Sequence, residues 1–163
     1  MKAQKESHDA VTHWAKAHGL DRRVVYAVVL KESLGNANAT RYEDGFFRRY
    51  LEGKSKKRLR WHWPINRSAD TERRMRAVSW GPMQVMGQTA RRLGFEGRDF
   101  TELCDPFVGV EYGCKYLAMM LKIYKRKELA SPDALRSALA AYNGGPGNPN
   151  YKYADEVLEL CCE

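Results

Sequence analysis

Residues 20–35 read LDRRVVYAVVLKESLG, and the fold turns on how this stretch is read. Leu20 and Asp21 supply a staple residue and an N-cap, so a helix is expected over residues 22–34, with Gly35 as its stop. Val25, Val28, Val29 and Glu32 then share one face, because Glu32 lies seven, four and three residues beyond the valines. A carboxyl at the end of an apolar stripe has its ionised form disfavoured, and its pKa rises. A general acid working near neutral pH needs that property. The plain alternative is a helix-end glutamate turned out to water.

Upstream, Val11, Trp14, Ala15 and His18 sit at helical spacing in a helix over residues 7–18 that Gly19 stops. Downstream come a polar turn, GNANAT, and the segment RYEDGFFRRYLEG. Residues 48–76 are strongly basic and interleave Trp61, His62 and Trp63 with Lys and Arg. Such a segment suits a solvated loop, contact with a polymer through indole faces, or single-stranded nucleic acid. No recognised nucleic-acid motif accompanies it, so polymer contact is preferred over nucleic acid. Residues 77–87, AVSWGPMQVMG, read as a short hairpin or turn, and residues 88–93 as a short helix ended by Gly94. Asp105 and Pro106 open a long helix whose core face carries Val110, Tyr112, Tyr116, Leu117, Met120 and Tyr124. Ser131 and Pro132 open an alanine-rich helix that the run from Asn143 to Gly147 terminates, and residues 153–160 form a last amphipathic helix.

The chain has 163 residues, 44% of them hydrophobic and 29% charged, as expected of one globular domain with a real core. Its formal net charge of +8 favours polyanions: nucleic acid, anionic lipid or anionic wall polymer. The four cysteines (Cys104, Cys114, Cys161 and Cys162) form no CxxC pair, and the histidines are not at ligand spacing beside them. No metal site, cofactor or disulfide scaffold is read, although a Cys104–Cys114 bond stays open. The first residues, MKAQKESHDAVTHW, hold no apolar core of a signal peptide, and the apolar run from Val24 to Leu30 is too short to span a bilayer. A product made in the cytoplasm without a classical signal peptide is expected.

Four pieces recur in one order: Glu32-Ser33, Gly81-Pro82-Met83-Gln84, Ala141-Tyr142-Asn143-Gly144-Gly145, and Tyr153-Ala154-Asp155-Glu156-Val157. Together they resemble the soluble lytic transglycosylase family, which shares its fold with goose-type lysozyme. The likeness spans roughly residues 20–160 apart from the basic segment. It implies a mainly α, lysozyme-like α+β fold: a helical domain with a small β or irregular element around residues 36–87. A single catalytic domain is expected over 1–163, with a basic insert at about 41–76.

The resemblance implies cleavage of the β-1,4 bond between N-acetylmuramic acid and N-acetylglucosamine in peptidoglycan. Glu32 would protonate the leaving oxygen and then act as base, and the muramic acid's own 6-hydroxyl would attack, giving a 1,6-anhydro product. Ser33, Glu43, Gly81, Met83, Gln84, Tyr142, Asn143 and Tyr153 are the expected substrate-binding residues. Gly81 would let a sugar approach the backbone, Met83 would form an apolar wall, and Gln84 would bond hydroxyl or N-acetyl groups. Taken one at a time, these are also ordinary turn, core and helix-stop residues.

Glu43, in the segment Arg41-Tyr42-Glu43-Asp44, is read as a sugar contact or a structural partner of Arg41. The competing reading uses Glu43 or Asp44 to activate water in an inverting muramidase. A non-catalytic glycan-binding module and a nucleic-acid-binding protein complete the alternatives. The expected partner is the peptidoglycan strand, with no obligate nucleic acid and a monomeric enzyme. The chain would act on periplasmic or cell-wall peptidoglycan after phage-mediated release or from a virion.

Overall fold

The protein is described from a computed structural model covering residues 2–59, 62–64, 67–126 and 132–162. Trp61 and Ser131 lie outside the described residues. The chain folds as helices α1 (Lys2–His18) and α2 (Arg22–Ser33), strand β1 (Thr40–Tyr42), and a short helix α3 (Asp44–Phe46) that runs into a π-helical turn, Phe47–Leu51. Helices α4 (Lys56–Leu59) and α5 (Ala69–Arg76), strands β2 (Val78–Trp80) and β3 (Val85–Met86) and helix α6 (Gly87–Arg92) follow. A 3-10 turn, Phe100–Cys104, leads into α7 (Pro106–Arg126), α8 (Pro132–Gly144) and α9 (Tyr151–Leu160). This is the expected mainly helical arrangement with a small antiparallel sheet.

The long helix α7 lies at the centre, with α1 and α8 against it and α9 against α8. Asp105 caps it by accepting from the Phe107 and Val108 amides at 2.9 and 3.2 Å. Its expected core face holds: Val110, Tyr112, Leu117, Met120 and Tyr124 are buried, and Tyr116 is half-buried. Helix α2 packs on α1 and α9, burying Val24, Val25, Ala27, Val28 and Val29. Asp21 caps it through the Arg23 amide at 2.8 Å. The helix stops one residue early, because Leu34 itself takes the left-handed C-cap conformation at φ +52.

The sheet has order β1-β2-β3, with Arg41 opposite Ser79 and Trp80 opposite Val85. The expected hairpin over 77–87 is thus β2–β3. The basic segment is more ordered than a loop. Its reach from 41 to 76 contains β1, α3, the π turn, α4 and α5, and a second small core of Phe47, Leu51, Leu59 and Ala77 anchors it.

A buried charge cluster fastens that segment to the body. Glu72, Arg76 and Arg91 are all fully buried. Glu72 receives Arg76 at 2.9 Å, Arg91 at 3.0 Å and Arg67 at 3.2 Å, and Arg67 also pairs with Asp99. Arg91 further donates to the Phe95 and Gly97 carbonyls and stacks its guanidinium on Phe100. Arg76 donates to the His62 carbonyl at 2.7 Å and lies over the Trp63 ring. Trp63 therefore does not offer an open face to sugar or bases as the sequence suggested: Arg76 and Lys56 both sit against its ring. All four cysteines are free thiols.

Removing the Glu72 carboxylate leaves cations facing each other out of water. Glu72→Gln is expected to cost about 3–5 kcal/mol of folding stability, read as a lower urea midpoint. A loss below about 1 kcal/mol would show that the cluster holds nothing together.

Candidate active site

The carboxyl of Glu32 lies where the end of α2, strand β1, the end of α8 and the start of α9 converge. The side chain is half-buried at the end of the valine stripe. Burial pushes it above the usual glutamate range. The Tyr153 hydroxyl, the Arg41 cation, the Asn143 amide and Lys31 each pull it back, and burial wins. The surface hollow between α1 and α7 (about 320 Å³, lined by His18, Leu20 and Lys122) includes none of these residues.

Tyr153 is buried, and the nearby Glu32 charge adds to the burial that holds its hydroxyl protonated. Among the described residues no group meets that hydroxyl in full hydrogen-bond geometry, so it stands beside Glu32 as a loosely aligned donor. Asn143, exposed at the end of α8, is oriented by Asn150, whose amide donates to the Asn143 Oδ1 at 2.9 Å. Asn150 also caps α9 through the Tyr153 amide, so one residue sets both neighbours of Glu32.

The Gly-Pro-Met-Gln turn has a different place from the one expected. The Ser33 hydroxyl donates to the Pro82 carbonyl at 2.8 Å, fixing the end of α2 on the turn. The Tyr142 hydroxyl, on a buried side chain, donates to the Met83 carbonyl at 2.7 Å and ties α8 to the same turn. The Gln84 amide donates to the Ala39 carbonyl at 2.8 Å and the Gly81 carbonyl at 2.9 Å, which closes the loop after Glu32. Met83 cannot form a sugar-facing wall: its side chain is fully buried and fills the space left by Gly113, where a Cβ would fall 2.3 Å from its sulfur. Gly81 is needed for φ +74 and for a close approach to its own chain, since a Cβ would meet the Leu103 carbonyl at 2.0 Å. The Ser33 and Tyr142 hydroxyls and the Gln84 amide nitrogen thus bond the protein's own backbone.

Glu43 is held by Arg41 at 2.6 Å, with the Ser79 hydroxyl at 3.4 Å. Asp44 pairs with Arg48 at 2.9 Å. The sequence reading named the Arg41–Glu43 pair as one option. It missed that Arg41 also faces Glu32, a relation that depends on where β1 lies and leaves no local signal. It missed the Glu72–Arg76–Arg91 cluster too, although Glu72 and Arg76 stand at i, i+4.

The small sheet and the helix ends thus converge on one half-buried glutamate. The chain belongs to the family described as Transglycosylase SLT domain, whose model matches residues 9–156. It is therefore a peptidoglycan lytic transglycosylase that cleaves glycosidic bonds. No solved structure matches it significantly. None of the described helices is long and apolar enough to cross a membrane.

The raised pKa of Glu32 has a signature in stability. At acid pH both folded and unfolded chains are protonated there. As pH rises the unfolded chain ionises first, so the penalty on folding grows between the two pKa values and is fully present above the raised one. Glu32→Gln should therefore be more stable than wild type at about pH 7, with the gain fading near pH 3.5, in urea titrations at the two pH values. The same gain at both would rule out a shifted carboxyl.

Proposed function

We propose that Glu32 is the general acid and then the general base of a non-hydrolytic cleavage between N-acetylmuramic acid and N-acetylglucosamine. Glu32 protonates the leaving glycosidic oxygen. It then accepts the proton of the muramic 6-hydroxyl as that oxygen closes on C1 and forms the 1,6-anhydro product. The observation that carries this reading is the burial of Glu32 beside Tyr153 and Asn143, which keeps a proton on it at higher pH than an open glutamate would.

The choice of internal attack rests on the other carboxylates. An inverting muramidase needs a second, free carboxylate to activate water. Glu43 is engaged by Arg41 and Asp44 by Arg48, so each is held as a partner rather than as a base. In this reading Glu43 fixes Arg41, and Arg41 steadies the ionised form of Glu32 after proton transfer. Asn143 and Tyr153 contact the acetamido group and the reacting oxygens beside Glu32. Ser33, Gly81, Met83, Gln84 and Tyr142 hold the glutamate in place through the 81–84 turn. The whole chain acts as one catalytic domain, with residues 41–76 as an insert stitched to it by Glu72.

Glu32→Gln, folded by circular dichroism, should lose about 10²–10⁴-fold of wild-type wall lysis. Unchanged lysis would end the assignment. Mass spectrometry of the released muropeptides should find anhydro ends, one water lighter than hydrolysed ends. Glu43→Gln and Asp44→Asn should leave that product unchanged, whereas hydrolysed ends in the wild type would favour the muramidase.

A further inference from the structure

Among the described residues two non-glycines take a left-handed backbone, Leu34 at φ +52 and Gln84 at φ +48. Both lie next to the Glu32 site. The Gln84 conformation is held by its two side-chain bonds to the Ala39 and Gly81 carbonyls. The Leu34 side chain has no such support and is 87% exposed, far more than any other large apolar side chain described. Its backbone amide caps the Leu30 carbonyl at 3.0 Å, a bond that any residue but proline supplies. Glycine or asparagine would adopt this geometry with less strain and without exposing an apolar side chain. Gly35 follows directly at φ +79, so a glycine stop is already at hand. Neither capping nor packing explains a leucine here, and unexplained strain concentrates at functional sites.

The position narrows the use. Leu34 is two residues beyond Glu32, and the intervening Ser33 is pinned to the Pro82 carbonyl, so the Leu34 backbone is fixed relative to the acid. We propose that Leu34 is a substrate-contacting residue, an apolar lip that packs against a methyl-bearing substituent of the glycan bound at Glu32. The proposal rests on Glu32 being the acid that works on that glycan. Peptidoglycan offers three such methyls beside its sugar rings: the acetamido methyl, the lactyl methyl of muramic acid, and the alanine methyls of the stem peptide. Burying roughly half of an exposed leucine against one of them is worth about a five- to tenfold change in binding.

The test compares Leu34→Asn, Leu34→Gly and Leu34→Met on soluble, uncrosslinked glycan strands. The Asn and Gly variants are expected to melt at or above the wild-type temperature and to raise KM about five- to tenfold, with a smaller change in kcat. Leu34→Met, which keeps an apolar side chain, should stay within about twofold of wild type. Repeating Leu34→Asn on strands stripped of stem peptides and on N-deacetylated strands identifies the methyl. A penalty that vanishes on the first assigns the alanines, and one that vanishes on the second assigns the acetamido group. A penalty that persists on both assigns the lactyl methyl. Loss of stability with unchanged KM, no change in any variant, or a wild-type dimer that the variants break would overturn the proposal. An active Glu32→Gln would instead sink the acid assignment, leaving the KM effect at Leu34 to be read separately.

Discussion

The hydrogen bond from Ser33 to the Pro82 carbonyl is the constraint on which the site depends. A carboxyl at the end of a helix has no turn beyond it to hold its position, and helix ends fray. Here the last residue of α2 is tied to a turn that also receives Tyr142 from α8 and, through Gln84, the carbonyl of Ala39. The end of α2, the loop that follows it and α8 are thereby referred to one tight turn. That turn is in turn seated on α7, because Gly109 and Gly113 leave room for Pro82 and Met83. Precise placement of such a side chain comes from this chain of supports, more than from the groups that touch it.

The electrostatics follow from the same placement. Valines on one side raise the cost of ionising Glu32, while Arg41, Asn143 and Tyr153 limit how far the shift goes. Each opposing group comes from a different element, so the balance is a property of the assembled fold and is absent from any fragment of it. Arg41 is itself shared between Glu32 and Glu43, which makes the sheet an electrostatic component of the site as well as a wall.

Much of this was legible in the sequence. The valine spacing gave α2 and placed Glu32 on its inner face; Asp21 and Asp105 announced their caps. The motif residues were recognised as a set, but which of them bond their own scaffold was not legible. Met83, Gln84 and Tyr142 have the chemistry to touch sugar, and composition alone cannot tell whether a side chain faces a groove or its own scaffold. The basic segment misled for a related reason. Arginines are usually solvated, and only the fold reveals that Arg76 and Arg91 are stacked on aromatic rings around one glutamate. Leu34 looked like the last residue of a helix, because a left-handed leucine has no sequence signature.

The buried cluster also limits how the enzyme can be cut down or recombined. Arg91 sits on α6, outside the basic segment, while its carboxylate partner comes from within it. A chimera that excises residues 41–76 would strand a guanidinium in the interior, so any shortened or shuffled version has to change both sides of the seam together, trading Arg91 for an apolar residue of similar length. What reads as a detachable surface elaboration is, in terms of heredity, a pair of coupled positions that must travel as one.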